Sequence, residues 1–71
     1  MTTIIESNAN KQYCVRLGIE VRHNREIYIV QACPCFDDSR CGYPEKELTY
    51  PIIERRKAYA AYKRYIKKYC N

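Results

Sequence analysis

The last twenty residues constrain the fold most, because they separate apolar from basic side chains with a helical period. Residues 51–70 read PIIERRKAYAAYKRYIKKYC. On a 3.6-residue period, one arc is apolar and aromatic and the opposite arc is basic. The pattern predicts an amphipathic helix over 51–70, with Thr49 as its N-cap and Pro51 in its first turn. The apolar arc holds Ile52, Ala58, Tyr59, Tyr62, Tyr65, Ile66 and Tyr69, and the basic arc holds Arg56, Lys57, Lys63, Arg64, Lys67 and Lys68.

Arg55 is the exception in this pattern, because it falls inside the apolar arc. We expect its side chain either to extend along the surface to solvent or to pair with Glu47 or another acid of the sheet. The tyrosines share the arc that faces the sheet, so their spacing indicates core packing rather than an exposed surface for stacking on bases.

Segments with the period of a strand precede the helix. Residues 13–21 (YCVRLGIEV) alternate strictly, and residues 26–35 (EIYIVQACPC) are rich in β-branched and aromatic residues. Both are typical of half-buried antiparallel strands. Residues 36–44 hold turn-forming side chains and predict a loop, and residues 46–50 predict a short third strand.

A turn centred on His23–Asn24 sets the register of the two long strands. Asn tolerates positive φ, which a tight hairpin turn requires. A shift of one residue would mix apolar and polar side chains on both faces, so one register is favoured. The predicted pairs are Val15 with Ala32, Leu17 with Val30, Ile19 with Tyr28, Cys14 with Cys33, and Gly18 with Ile29.

These elements predict an α+β fold. It consists of an antiparallel β-hairpin plus a short third strand, with one C-terminal amphipathic α-helix packed across one sheet face. A chain of 71 residues is expected to form a single domain. Residues 1–11 are predicted to form an N-terminal extension, residues 12–50 the three-stranded antiparallel sheet, and residues 51–70 the basic, tyrosine-rich helix.

In outline, the predicted arrangement resembles the DNA-binding domains of plant ethylene-response factors and the arm-binding domains of integrases. The resemblance is one of topology and covers about residues 13–70. It implies that the exposed sheet face enters the major groove while the helix supports it from behind. Here the sheet face offers Arg16, Arg22 and Arg25 together with Glu20, and most of the positive charge lies on the helix.

The net charge of +5 is concentrated in the helix. Residues 1–50 hold six basic and seven acidic side chains, whereas residues 51–71 hold seven basic and one acidic, Glu54. A basic arc without interleaved acids is suited to neutralise phosphates. We therefore expect a non-enzymatic binding module for an acidic partner, namely nucleic acid, a nucleoprotein or an acidic protein surface. The alternative for this arc is a solvated face that keeps a small domain in solution.

A second hypothesis places a partner interface on the sheet face away from the helix. Ile27 and Ile29 lie on that face beside small residues and form an apolar patch if uncovered. Either Ile4 and Ile5 fold over the patch, or it binds another protein or a second copy of the chain. In the latter case the protein is a small regulator, adaptor or inhibitor.

The five cysteines leave three interpretations open. Reduced thiols that behave as small apolar side chains are one. A disulfide, Cys14–Cys33 or Cys35–Cys41, is another. A zinc site would use Cys14, Cys33, Cys35 and Cys41, although this spacing is not a familiar zinc pattern. Cys70 stands apart at the helix end.

Catalytic motifs and targeting segments are not evident. The single histidine lies in a turn, and Ser7 and Ser39 lie outside any nucleophile motif. The first residues show no secretory pattern, and no apolar run reaches the roughly 18 residues of a membrane span. The expectations are therefore no catalytic residues, no membrane association and a cytoplasmic location.

Overall fold

The computed structural model describes residues 2–35 and 42–70, which form an antiparallel sheet and a helix. The strands are β1 (Thr2–Ala9), β2 (Tyr13–Arg22), β3 (Arg25–Pro34) and β4 (Lys46–Pro51), and the helix α1 spans Arg55–Tyr69. The strands lie in sequential order, β1-β2-β3-β4. The helix packs against β2, β3 and β4. The predicted α+β fold is confirmed, with a fourth strand added to the predicted three.

The β2–β3 hairpin has the predicted register at every pair. Leu17 lies opposite Val30, and Cys14 lies opposite Cys33. The connecting turn consists of His23 and Asn24, whose φ angles are 53° and 61°. Two consecutive positive φ values are those of a type I′ turn, whose twist matches that of the flanking strands. Local turn geometry and apolar alternation therefore specify the same register.

The core lies between the sheet and α1. Val15, Leu17 and Val30 are fully buried on the sheet side, and Ala58 and Ala61 are fully buried on the helix side. Two alanines at the contact leave room for the helix backbone to approach the sheet closely. Larger side chains of both layers then surround this contact.

The helical tyrosines face the sheet, as their spacing predicts. Tyr62 is buried, and Tyr59, Tyr65 and Tyr69 are half-buried at the margin of the core. The rings of Tyr65 and Tyr69 meet edge to face, with centroids 5.5 Å apart. Burial raises the pKa of Tyr62 and of Tyr65.

Residues 2–9, predicted to belong to an N-terminal extension, form the edge strand β1. It pairs antiparallel with β2 over its whole length, and a bulge inserts Ile5 between Ile4 and Glu6. Every residue of the strand is exposed. The bulge and the exposure together remove the alternation by which a strand is recognised in a sequence.

The helix begins at Arg55, four residues after its predicted start. Pro51 ends β4 and pairs with Ile27. A turn follows, closed by a 2.8 Å hydrogen bond from the Glu54 amide to the Pro51 carbonyl oxygen, and Glu54 is the N-cap residue. The prediction of Thr49 as N-cap is wrong, because Thr49 is an exposed residue within β4. Proline is accommodated here because the outer edge of an edge strand needs no amide donor.

Candidate nucleic-acid interface

Six basic side chains line the solvent side of α1, which we call the basic face. All six are exposed, as their arc predicts. Because the opposite side of α1 packs on the sheet, the basic face points away from the core. With 3.6 residues per turn, the six residues fall into two parallel rows. One row holds Arg56, Lys63 and Lys67, and the other holds Lys57, Arg64 and Lys68.

Acidic side chains compensate little of this charge within residues 2–35 and 42–70. The Lys57 Nζ lies 3.2 Å from the Glu54 Oε1 at the start of the helix. Across the described residues, the remaining five cations of the basic face form no ion pair. The ammonium of Lys68 lies 5.3 Å from the centroid of the Tyr69 ring. The face therefore presents a concentrated and largely uncompensated positive charge.

The basic charge extends into the first turn of α1, where it opposes helix stability. This turn carries Arg55, Arg56 and Lys57 and no acidic residue. Cations at a helix N-terminus meet the positive end of the dipole, which costs about 0.3–1 kcal/mol each. Like charges four residues apart, such as Lys63 and Lys67, cost roughly 0.2–0.5 kcal/mol more. Lys67 and Lys68, in the last turn, suit the negative end of the dipole, so helix stability explains those two cations but not the three at the start.

Ala60 lies at the centre of the basic face. It is exposed, and its neighbours three and four residues away are Arg56, Lys57, Lys63 and Arg64. Because its side chain is only a methyl group, the helix surface is recessed between the longer side chains of the surrounding cations. Ala60 was not predicted as a site residue, because it lies on the basic side of the helix and carries no charge. The spacing to the four cations is the signal by which it could have been found.

Arg55 does not form an ion pair with Glu47, the acid named as its possible partner. Its guanidinium carbon lies 5.2 Å from the centroid of the Tyr59 ring, and the side chain is exposed. Glu47 pairs instead with Arg22, at 3.1 Å. The Arg55–Glu47 pair is therefore wrong, and the alternative of extension along the surface describes this side chain.

The sheet face away from α1, here called the open face, does not expose the predicted isoleucine pair. Ile29 is 1% exposed, and Ile27 is half-buried. Ile29 is therefore covered, which was one of the two alternatives for this face, and it does not form an exposed patch. Ile4 accounts for part of the cover, since its Cδ1 lies 3.3 Å from the position that a Cβ on Gly18 would take. Gly18 lies directly opposite Ile29.

A polar network crosses the open face and accounts for the rest of the cover. Thr2 donates to Glu20 at 2.9 Å, and Arg22 bridges Glu20 and Glu47 at 2.6 and 3.1 Å. Gln31 donates to the second carboxylate oxygen of Glu47 at 2.6 Å. The sheet register places the row of Ile29 between the rows of Glu20 and Glu47. The network also occupies Arg22, which weakens the expectation that this face offers free cations.

An apolar groove lies at the turn end of the sheet, between β3 and the start of α1. It has a volume of about 360 Å³. Ile53 is one of its lining residues and is 87% exposed. Ile52, predicted to lie on the apolar arc of the helix, lies in the turn before α1 instead and is 40% exposed. The groove is lined by Arg25, Glu26, Ile27, Pro51, Ile52 and Ile53.

The cysteines of the sheet pack as buried side chains. Cys14 and Cys33 face each other as predicted, and both are buried. The Arg16 guanidinium donates to the Cys33 Sγ at 3.0 Å, and Cys33 is a free thiol. Within residues 2–35 and 42–70, no cluster of His, Cys, Asp and Glu could hold a metal ion. Cys41, which the zinc hypothesis and the Cys35–Cys41 disulfide both require, lies outside the described residues.

No helix in the described part of the chain is both long and apolar enough to cross a membrane. Comparisons of the chain with models of protein families, with curated proteins and with solved structures found no match. Function is therefore inferred from the charge and geometry of the chain itself.

Proposed function

We propose that this protein is a small non-enzymatic module that binds nucleic acid, free or within a nucleoprotein, through the basic face of α1. The observation that carries the proposal is the uncompensated charge of that face. Six exposed cations lie on one side of one helix, and Glu54 is the single acid paired with them among the described residues. Phosphates are the partners that such a surface neutralises with release of counterions.

The cost of the charge supports a role in binding. Three consecutive cations at the helix start oppose the dipole, and the repeated like-charge neighbours add to the repulsion. Phosphates bound along the face would reduce both the unfavourable interaction with the dipole and the repulsion between the cations. A face needed for solubility alone would tolerate interleaved acids, and residues 55–69 contain none.

The strength and selectivity of binding follow from the same residues. The basic face carries only Lys and Arg around one alanine. These side chains contact phosphates of any sequence, and Arg56 and Arg64 add at most a preference for guanine. We expect binding that tolerates sequence changes, with Kd on the order of 10⁻⁴ to 10⁻⁶ M at physiological salt.

Salt dependence of binding to a fluorescent oligonucleotide tests this function. With six contacts, the logarithm of the association constant falls with a slope of about −5 against the logarithm of salt concentration. That slope corresponds to about a thousandfold weaker binding between roughly 50 and 200 mM salt. Affinity that is independent of salt, or no binding at the lower salt concentration, would contradict the proposal.

A second candidate function is self-association through the apolar groove, with a second copy of the chain as the occupant. Ile53 lines the groove and is exposed, so the Ile53 side chain of the other copy can pack into it. Arg25 and Glu26 also line the groove, and in a twofold dimer each could meet the opposite charge of the other copy. This interface differs from the homodimer interface expected on Ile27 and Ile29. It lies at the turn end of the sheet and includes Ile27 but not Ile29.

Analytical ultracentrifugation over a range of protein concentrations tests self-association. The wild type is expected to shift from monomer to dimer, and Ile53→Asp is expected to remain monomeric. Val21→Asp serves as the matched control, because Val21 is 55% exposed and lies outside the groove lining. A wild type that stays monomeric at all concentrations excludes this candidate.

A further inference from the structure

Resting on the proposed function, we infer that the ligand of the basic face is the major groove of duplex DNA, with α1 lying in the groove and Ala60 facing its floor. The inference depends on how the two rows of cations are spaced around the helix. It also depends on the small residue that separates them.

The two rows lie on opposite flanks of the exposed half of α1. Corresponding members, such as Lys63 and Arg64, are adjacent in sequence and so point about 100° apart around the axis. Each row extends over twelve residues, about 16 Å along the axis. Two lines of positive charge therefore run parallel along the helix, one on each side of its outermost surface.

The separation of the rows matches a wide groove. An α-helix with its side chains is about 10–12 Å across, and the charged tips of the two rows span a similar width. The major groove of B-form DNA is about 12 Å wide, whereas the minor groove is about 6 Å wide. Each row can then contact the phosphates of a different strand. The deep and narrow major groove of A-form RNA does not admit a helix in this way.

Ala60 is placed to let the helix enter the groove. Among residues 55–69, it alone lies between the two rows on the outward surface. A methyl group permits close approach to the base edges and can contact the methyl group of thymine. The side chains around it are Arg56, Lys57, Lys63 and Arg64, which reach phosphates, and phosphate contacts position a protein without reading the sequence.

Fluorescence anisotropy tests the inference with three ligands at one low salt concentration. They are a DNA duplex of about two helical turns, one of its single strands, and an RNA duplex of equal length. We expect the DNA duplex to bind about tenfold more tightly than either of the others. Ala60→Leu keeps the charge and the helix propensity, and we expect it to weaken duplex binding about five- to tenfold by holding the helix away from the groove floor. Ala9→Leu, at an exposed alanine of β1, is the matched control and should have no effect.

The outcomes separate this inference from the function on which it rests. Equal affinity for the three ligands, or duplex binding that Ala60→Leu leaves unchanged, overturns the groove geometry while nucleic-acid binding stands. Binding to none of the three overturns both. Preference for the DNA duplex together with sensitivity at Ala60 supports both.

Discussion

The side-chain amide of Asn10 donates to the carbonyl oxygen of Tyr69 at 3.0 Å. This bond joins the β1–β2 turn to the C-terminal end of α1, 59 residues apart in sequence. The Asn10 side-chain oxygen also accepts from the backbone amides of Gln12 and Tyr13, at 2.8 and 2.7 Å. One side chain therefore shapes the turn and anchors the helix that carries the basic face.

Replacement of Asn10 by alanine should destabilise the protein by about 1–2 kcal/mol, since three modest hydrogen bonds at an exposed site are lost. Thermal unfolding monitored by circular dichroism gives the change in stability. Asn8→Ala is the matched control, because Asn8 is a nearby exposed asparagine whose contact to Cys70 runs through its backbone carbonyl. Equal effects of the two substitutions would contradict a special role for Asn10.

Gly18 is required by the close approach of β1. A Cβ at this position would lie 2.7 Å from the Thr3 carbonyl oxygen and 3.3 Å from the Ile4 Cδ1. The backbone oxygen cannot move without displacing the strand, so Gly18→Ala should cost about 1–3 kcal/mol. Thr49→Ala, on the other side of Ile29 in the same row, is the control. An unchanged unfolding temperature in Gly18→Ala would show that β1 does not pair as described.

The Glu20 carboxylate gives the protein an acid-sensitive contact. The hydrogen bond from Arg22, and next the one from Thr2, lower the pKa of Glu20 below its ordinary value of 4.5. A lowered pKa in the folded state stabilises the protein above the unfolded-state pKa, and this contribution disappears as pH falls through the folded-state pKa. The wild type should therefore lose more stability than Glu20→Gln as pH decreases below about 4.5.

Unfolding temperatures from pH 7 down to the acid range measure that difference. Glu26→Gln is the matched control, because Glu26 is an exposed carboxylate outside the polar network. Parallel pH profiles for wild type and Glu20→Gln would show that the network on the open face contributes nothing in the folded state.

Sequence patterns predicted the parts of the fold that depend on local periodicity. The alternation around Leu17 and the turn at His23–Asn24 each specify the hairpin register, and the two agree. The tyrosines and cations of α1 segregate as a 3.6-residue period requires. These features were predictable because each depends on neighbours close in sequence.

The wrong predictions concern residues whose contacts are distant in sequence, or residue types that suit two kinds of secondary structure. Pro51 suits both the first turn of a helix and the end of an edge strand, and pairing with Ile27 decides for the strand. The cover of Ile29 could not be decided from the sequence, because Ile4 and the Arg22 network beside it are supplied by other strands.

For the candidate site, the cations of the basic face were predictable from the helical period. The central Ala60 was not, because an exposed alanine carries no sequence signal until its cationic neighbours are placed around it. The groove that Ile53 lines was not predictable either. It forms because residues 52 and 53 lie in a turn and the helix starts at Arg55 rather than at Pro51.

Charge reversal on the basic face tests the central claim most directly. The variant Lys63→Glu, Arg64→Glu is compared with a control of equal charge change, Lys11→Glu, Lys46→Glu, whose two sites are exposed and lie off the helix and outside the apolar groove. Both are first shown by circular dichroism to fold, and each is then titrated against duplex DNA at one low salt concentration. We predict about a hundredfold or greater loss of affinity for the basic-face variant and a much smaller loss for the control. Equal losses in the two variants, or retained binding by the basic-face variant, would contradict the assignment of nucleic-acid binding to α1.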